Sequence, residues 1–324
     1  MESSIEAIDR WQLDVPVVLF IFKRAHTAPL IMRRLRAVRP KKIYLLADQG
    51  RDDEESALAL DCRKAFEHEI DWDCEIVKHY ATENRGVFNN IGLGALWVFE
   101  RESKAIFLED DNLPSISFFH YCSELLERYQ NDESIFWICG TNYLGDIQHE
   151  RVQSYYFTQS LLPCGWASWS DKFTCFYDAY FEKCKTKDGF KKIRKTYRNR
   201  ALFRQQKISI TNELLRYQKG MGFRSWDYQL ISSLRANNLY GIVPACNQIR
   251  NIGVDALSEH GGSDYQDEMT RRFCSVEDYN LALPLIHPDE KGINELIEDR
   301  LDSIILQPLS YRIKSYLKSI LLRF

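Results

Sequence analysis

The sequence contains no C-x-x-C pair, and its nine cysteines are an odd number. Several, including Cys74, Cys139 and Cys246, stand inside apolar runs. They read as buried, unpaired thiols of a reducing compartment rather than a disulfide framework. No stretch approaches the ~20 apolar residues needed to span a bilayer. The opening Met1-Glu2-Ser3-Ser4-Ile5-Glu6 is acidic and lacks an apolar signal core, so the expected setting is cytoplasmic, or at most attached to a membrane surface. Excess charge is also lacking: a formal −3 over 324 residues, with the basic residues spread along the chain, argues against nucleic acid as the main partner. There is no internal repeat and no low-complexity linker. Finally, the turn after the first apolar run reads Lys23-Arg24-Ala25-His26. It has neither the G-x-G-x-x-G of a dinucleotide-binding oxidoreductase nor a Gly-rich loop to cradle a triphosphate.

What is present is a hydrophobic content of 45%, ample for a sizeable core and incompatible with disorder. Val17 to Phe22 is continuously apolar and β-rich, as expected of a parallel strand buried on both faces. Thr27 and Pro29 then mark the start of a helix running to about Ala37. Strands are expected at about 42–47 and 72–79 with a charged helix at about 52–67 between them. A helix at about 87–100 leads into the strand Ala105-Ile106-Phe107-Leu108, which runs directly into Glu109-Asp110-Asp111. Further helices are expected at about 117–129, 201–217 and 226–237, and strands at 136–139 and 240–243.

Alternating strands and helices give an α/β fold with a mostly parallel, doubly wound sheet flanked by helices. Ligands of such sheets bind at the carboxyl ends of the strands, where Arg24, Asp48-Gln49-Gly50 and Glu109 to Asp111 should converge. Three consecutive carboxylates repel one another and are most readily tolerated where a cation compensates them. Hard divalent ions such as Mn²⁺ or Mg²⁺ suit carboxylate oxygens and are commonly shared with a substrate diphosphate. The alternative for an acidic triplet is a solvated loop.

Four stretches then carry a family resemblance: Tyr44-Leu-Leu-Ala-Asp48-Gln-Gly50, Phe107-Leu-Glu109-Asp-Asp111, Leu162-Pro-Cys-Gly165-Trp166 and Ser225-Trp226-Asp227. A weaker echo is Ser258-Glu-His260-Gly261. In their order, over roughly residues 15 to 265, they resemble the N-acetylglucosaminyltransferase I group of inverting glycosyltransferases, which have the GT-A fold. The resemblance implies that Asp111 ligates the metal, with His260 completing its shell or touching a phosphate. It places Glu109 and Asp110 against the nucleoside and donor sugar, Asp48 against the base or ribose, and Arg24 on the nucleotide. Asn84, ahead of a helix, is a donor-loop candidate or an ordinary cap.

On the acceptor side the resemblance makes Asp227 the general base, and Gly165, Trp166 and Trp226 acceptor-side residues. Read without the resemblance, Ser225 is an N-cap, and an aspartate in the first helical turn is favoured by the helix dipole with no catalytic duty. The tryptophans are then either flat faces for a sugar or core residues, and Trp169 is undecided. Where the family has a second aspartate after the base, this chain has Tyr228, which leaves acceptor identity open. The donor implied is UDP-GlcNAc and the acceptor a saccharide hydroxyl, in this setting that of a lipid-linked or polysaccharide precursor. A nucleotidyltransferase and a non-catalytic sugar-binding relative are the competing readings.

The transferase domain is expected to span 1–265, with a donor half at about 15–140 and an acceptor half at 141–265. A C-terminal helical extension follows at 266–324. Its end, Leu309 to Phe324, is a basic amphipathic helix without an acid. That helix either docks on the domain's own core or binds a membrane surface.

Overall fold

The computed structural model describes residues 11–150, 152–258, 262 and 264–322. Its order opens as the apolar runs dictate: β1 Val17–Ile21, α1 Ala28–Val38, β2 Lys42–Ala47, α2 Asp53–His68, β3 Glu75–Tyr80. A π-helical turn, Phe88–Leu93, runs into α3 Gly94–Phe99, and β4 Lys104–Glu109 and the short β5 Asn112–Pro114 follow. Then come α4 Ile116–Arg128, β6 Ile135–Cys139, β7 Tyr155–Thr158, β8 Trp166–Trp169 and α5 Ser170–Phe176. Three helices, α6 Lys187–Lys195, α7 Arg200–Gln218 and α8 Asp227–Ala236, precede β9 Tyr240–Pro244 and β10 Ile249–Asn251. The chain closes with α9 Glu268–Cys274, α10 Glu295–Ile305 and α11 Leu309–Leu321.

Eight strands form one sheet in the order β3-β2-β1-β4-β8-β6-β9-β7, and β10 pairs with β5 in a small ribbon. The first four run parallel, β8 is antiparallel to both its neighbours, β9 is parallel to β6, and β7 is antiparallel at the edge. The expected mixed α/β architecture with a mostly parallel sheet is therefore present. β1, β2 and β4 are apolar because helices cover both faces, and all five residues of β1 are buried. In register, Phe20 stands beside Glu109 and Ile21 beside Ala47. The carboxyl ends of these strands thus open on one crevice.

Local chemistry explains the small departures from expectation. Thr27 does not cap α1 through its side chain; its hydroxyl donates to the Arg24 carbonyl at 2.7 Å, closing a 3₁₀ turn before the helix. β3 starts at Glu75 rather than near Trp72, whose indole N–H is turned to the Pro40 carbonyl at 3.1 Å.

The boundary near 265 does not separate two cores. Leu281, Leu285, Ile297 and Leu301 are buried in the same core as the sheet. The Leu281 N–H donates to Ser117 Oγ at 2.8 Å. Glu298, on α10, is buried against the end of β7: it accepts from Thr158 Oγ1 at 2.5 Å and pairs with buried Arg235 at 3.5 Å. Of the last two helices, only α11 stands outside this network. All nine cysteines are free thiols, Cys139 and Cys246 buried and Cys74 partly exposed. Among the described residues no helix is long and apolar enough to cross a membrane.

Candidate functional site

The acidic triplet divides its labour. Asp110 turns back onto β1, where one carboxylate oxygen accepts from the Phe22 N–H at 2.9 Å and the other from Arg24 at 3.0 Å. With both oxygens engaged and 5% exposure, it is a strut for the first βα turn rather than a ligand-facing group. Asp111 points the other way. Its Oδ1 accepts from Asn112 Nδ2 at 2.7 Å, while Oδ2 lies 3.5 Å from the Arg24 guanidinium. Glu109 has no side-chain hydrogen bond among the described residues.

Burial sets the charge state of this cluster. It raises the Asp111 carboxyl to about 6, against the opposing pull of Arg24. It lifts Glu109 well above the usual carboxylate range, with Asp111, Asp110 and Asp227 adding repulsion in that order. Arg24 answers the whole group: besides Asp110 and Asp111 it faces Asp255 at 3.4 Å and donates to the Gly253 carbonyl at 3.3 Å. Burial works against its charge, yet Asp111, Asp110 and Asp255 hold its pKa above the ordinary arginine value.

Gly253 makes room for Asp111. A Cβ at this position would stand 2.5 Å from Asp111 Oδ2 and 2.6 Å from its Cβ, so only glycine lets the 252–255 segment lie this close. Asp255 Oδ2 has no hydrogen-bond partner although buried. Asp255 and Gly253, which follow the short strand β10, are site residues that the sequence reading did not pick out. Cys164 is another: burial raises its thiol, and Glu109 and Asp111 push it further, which places it against the acids.

Asp48 does not face outward. Its carboxylate accepts from the N–H groups of Gln49 (2.9 Å), Arg85 (2.8 Å) and Gly86 (2.9 Å), and the residue is buried. Asn84 Nδ2 donates to the Gln49 carbonyl at 2.7 Å. The two expected donor contacts therefore tie the 84–86 loop to the end of β2 and shape the crevice wall. The expectation that Asp48 contacts a base or ribose is corrected accordingly: both its oxygens are held by backbone.

Asp227 opens α8. The Ser225 hydroxyl accepts from the Tyr228 N–H at 3.0 Å, as a cap does, and donates to Asp227 Oδ1 at 2.5 Å. Buried Glu213 holds the loop before it, accepting from the N–H groups of Arg224 and Ser225 at 2.7 and 3.3 Å. Asp227 is close enough to Glu109 to raise it, so the two halves of the chain meet here. Tyr143, Pro163, Gln206, Tyr228 and Phe273 line a cleft with Asp227. Burial raises the phenols of Tyr143 and Tyr228, Asp227 contributing to both.

The expected aromatic acceptor face is corrected. Trp166 lies in β8, 1% exposed, sandwiched between Phe107 at 3.9 Å and Trp137 at 4.2 Å between ring centres. Trp226 is buried against it at 5.8 Å. Trp169 is also core, its indole N–H donating to the Leu126 carbonyl at 2.9 Å. Gly165 has φ +61° and donates to Asn112 Oδ1 at 2.9 Å, and a Cβ there would lie 2.4 Å from Ile249. Trp169 pairs with Lys104, at the end of β4 remote from the acids, and none of these four residues offers a face to a sugar.

His260 lies outside the described residues. Among the described residues no group of three or more His, Cys, Asp or Glu side chains is arranged to hold a metal. Two carboxylate oxygens of the described residues make no hydrogen bond here and are of the hard type that a divalent cation takes: Asp111 Oδ2, and Asp255 Oδ2, which has only the Arg24 and His26 side chains at 3.4 Å.

No family model matches the chain, and no curated protein matches it. Among solved structures it is similar over part of its length to a UDP-glucose pyrophosphorylase complexed with UDP-glucose. The two share 11% identity, with a TM-score of 0.26, over 46% of this chain and 64% of that one. It is similar also to the apo structure of the bifunctional glycosyltransferase WbbM, at 12% identity and a TM-score of 0.25, over 45% of this chain and 26% of that one. The chain spans less than two thirds of either structure.

Proposed function

We propose that this chain is a metal-dependent, inverting glycosyltransferase of the GT-A type, moving a sugar from a nucleotide donor to a saccharide hydroxyl. The observation that carries the reading is the gathering of Asp110, Asp111 and Asp255 around Arg24 at the carboxyl end of β4, with Asp227 near enough to add to the raising of Glu109. Asp111, with Asp255 following Gly253 against it, would hold Mn²⁺ or Mg²⁺. The bound ion supplies Lewis-acid stabilisation of the departing diphosphate.

Arg24 is the resident counter-charge of the carboxylates and keeps them assembled before donor and metal arrive. Glu109, whose carboxyl burial raises above the usual range, stands beside the donor sugar. The acceptor hydroxyl lies in the cleft beside Tyr143 and Tyr228 and gives its proton to Asp227 as its oxygen attacks the anomeric carbon. The bond to the diphosphate breaks and its electron pair leaves with that group. General-base help of this kind contributes ~10²–10⁴-fold in rate.

UDP-GlcNAc is the first donor to test, and a lipid-linked or polysaccharide precursor in the cytoplasm the first acceptor class. The test is calorimetric titration of nucleotide sugars with and without Mn²⁺, on the wild type and Asp111→Ala, followed by turnover of Asp227→Asn. Binding that needs both Mn²⁺ and Asp111, with turnover lost in Asp227→Asn at unchanged donor affinity, supports the proposal. Release of pyrophosphate in place of a nucleoside diphosphate identifies a nucleotidyltransferase instead, and absence of binding by any sugar nucleotide overturns both.

A further inference from the structure

The stretch from 183 to 207 holds eleven Lys and Arg against the single acid Asp188, in a chain whose total charge is −3. α6 and α7 fold this stretch into a groove. Lys187 and Arg194 line one wall, Arg200, Arg204 and Lys207 the other, with Phe190 and Phe203 between them. None of these five cations has a carboxylate partner among the described residues, and Lys207 lies over the Phe190 ring at 5.2 Å.

α11 packs on the same helix, α7, and does so with its polar side. Ser319 is buried, and Asn212 on α7 donates to the Ser315 carbonyl at 3.4 Å. Leu309, Ile313, Tyr316, Leu317 and Leu321 are each half or more exposed. At helical spacing they form one stripe turned away from the domain. No acid follows Asp302 in the sequence, while the exposed Lys314 and Lys318 accompany the stripe. A terminal helix that buries serine and presents leucine to solvent gains nothing from that orientation as an isolated molecule.

We propose that the α6–α7 groove and the outward stripe of α11 together dock this protein on an anionic lipid surface. The stripe enters the interface while the groove takes the phosphate headgroups. Charge selects this occupant: a second copy would bring an equally basic surface against the first, whereas an anionic bilayer satisfies the cations and the apolar stripe at once. The inference does not rest on the transferase reading.

The experiment is flotation of the full chain with vesicles of phosphatidylcholine alone or mixed with phosphatidylglycerol. The wild type is expected to float only with the anionic vesicles, and added salt to weaken it. Each Lys or Arg near such a surface is worth roughly a five-fold change in partitioning, so Arg204→Glu/Lys207→Glu should lower it by roughly 20-fold or more. Ile313→Asp/Leu317→Asp should abolish flotation, with thermal unfolding of both variants unchanged because all four side chains are in solvent. Equal binding to both vesicle types, no flotation, or insensitivity to either variant overturns the proposal. So does a dimer in sedimentation velocity that Ile313→Asp/Leu317→Asp dissolves without any vesicle binding.

Discussion

Gly253→Ala isolates the position of one carboxylate from its chemistry. The added methyl carbon would stand 2.5 Å from Asp111 Oδ2, 2.6 Å from its Cβ and 3.0 Å from its Cγ. Unbonded heavy atoms settle near about 3.5 Å, so either the Asp111 side chain or the 252–255 segment must retreat by about 1 Å. The Ile252 N–H bond to the Asp111 carbonyl at 2.9 Å ties the two segments together, so the side chain is the part that yields. Overpacking of this kind costs about 1–3 kcal/mol of stability, which a folded domain of this size tolerates. A displacement of about 1 Å at a reacting centre is worth about 100-fold. Mn²⁺ binding measured by electron paramagnetic resonance should therefore weaken by one to two orders of magnitude, and kcat/KM should fall about 100-fold. Gly292→Ala, where a methyl meets nothing within 4 Å, should change neither. If Gly253→Ala keeps wild-type Mn²⁺ affinity, Asp111 is not the metal ligand or its placement does not depend on this contact, and the reasoning fails.

Arg24→Met removes the guanidinium that faces Asp110, Asp111 and Asp255 and should cost about 3–5 kcal/mol in urea unfolding at pH 7.5. The folded Asp111 pKa of about 6 lies above its unfolded value of 3.8, so the folded state holds the proton more tightly. Acidification from pH 7.5 to 5 should accordingly shrink the deficit, as should Mn²⁺; a pH-independent deficit would refute the electrostatic account. Asp302→Asn should stabilise the protein at pH 8 by on the order of 2 kcal/mol. Burial and then Glu298 raise Asp302 to about 6 against the pull of Arg235, and the gain should vanish below about pH 4 in thermal unfolding. Trp166→Phe should lower stability by about 2 kcal/mol and leave the acceptor KM unchanged; a raised KM at full stability would put the ring back at the acceptor.

The parallel half of the sheet was legible because its physics is local. A strand covered on both faces must be apolar throughout, and β1, β2, β4 and β6 were placed to within a residue at most boundaries. β7 and β8 were not read at all. They are four-residue strands whose pairing depends on where β4, β6 and β9 already lie, and no period of two emerges from Trp166-Ala-Ser-Trp169. The same gap produced the tryptophan error: an indole in a Gly-Trp motif looks alike on a surface and in a core, and only the stack with Phe107 and Trp137 decides. Asp48 was placed at the right strand end with the wrong orientation, because the Arg85 and Gly86 N–H groups that claim it come from a distant turn. Asp255 carried no local signal; it enters the site because β10 pairs with β5 directly after the triplet.

The buried Glu298–Arg235 pair says something about the order in which this molecule becomes itself. Arg235 and Thr158 lie in the middle of the chain, while the carboxylate that answers both arrives on α10, near its end. Until α10 has emerged, a nascent chain holds a sequestered guanidinium with no counter-ion and an unfinished sheet edge at β7. The core is thus closed only once α10 is in place, and a fragment ending near residue 265 should behave as a substrate for chaperones and proteases rather than as a smaller folded unit.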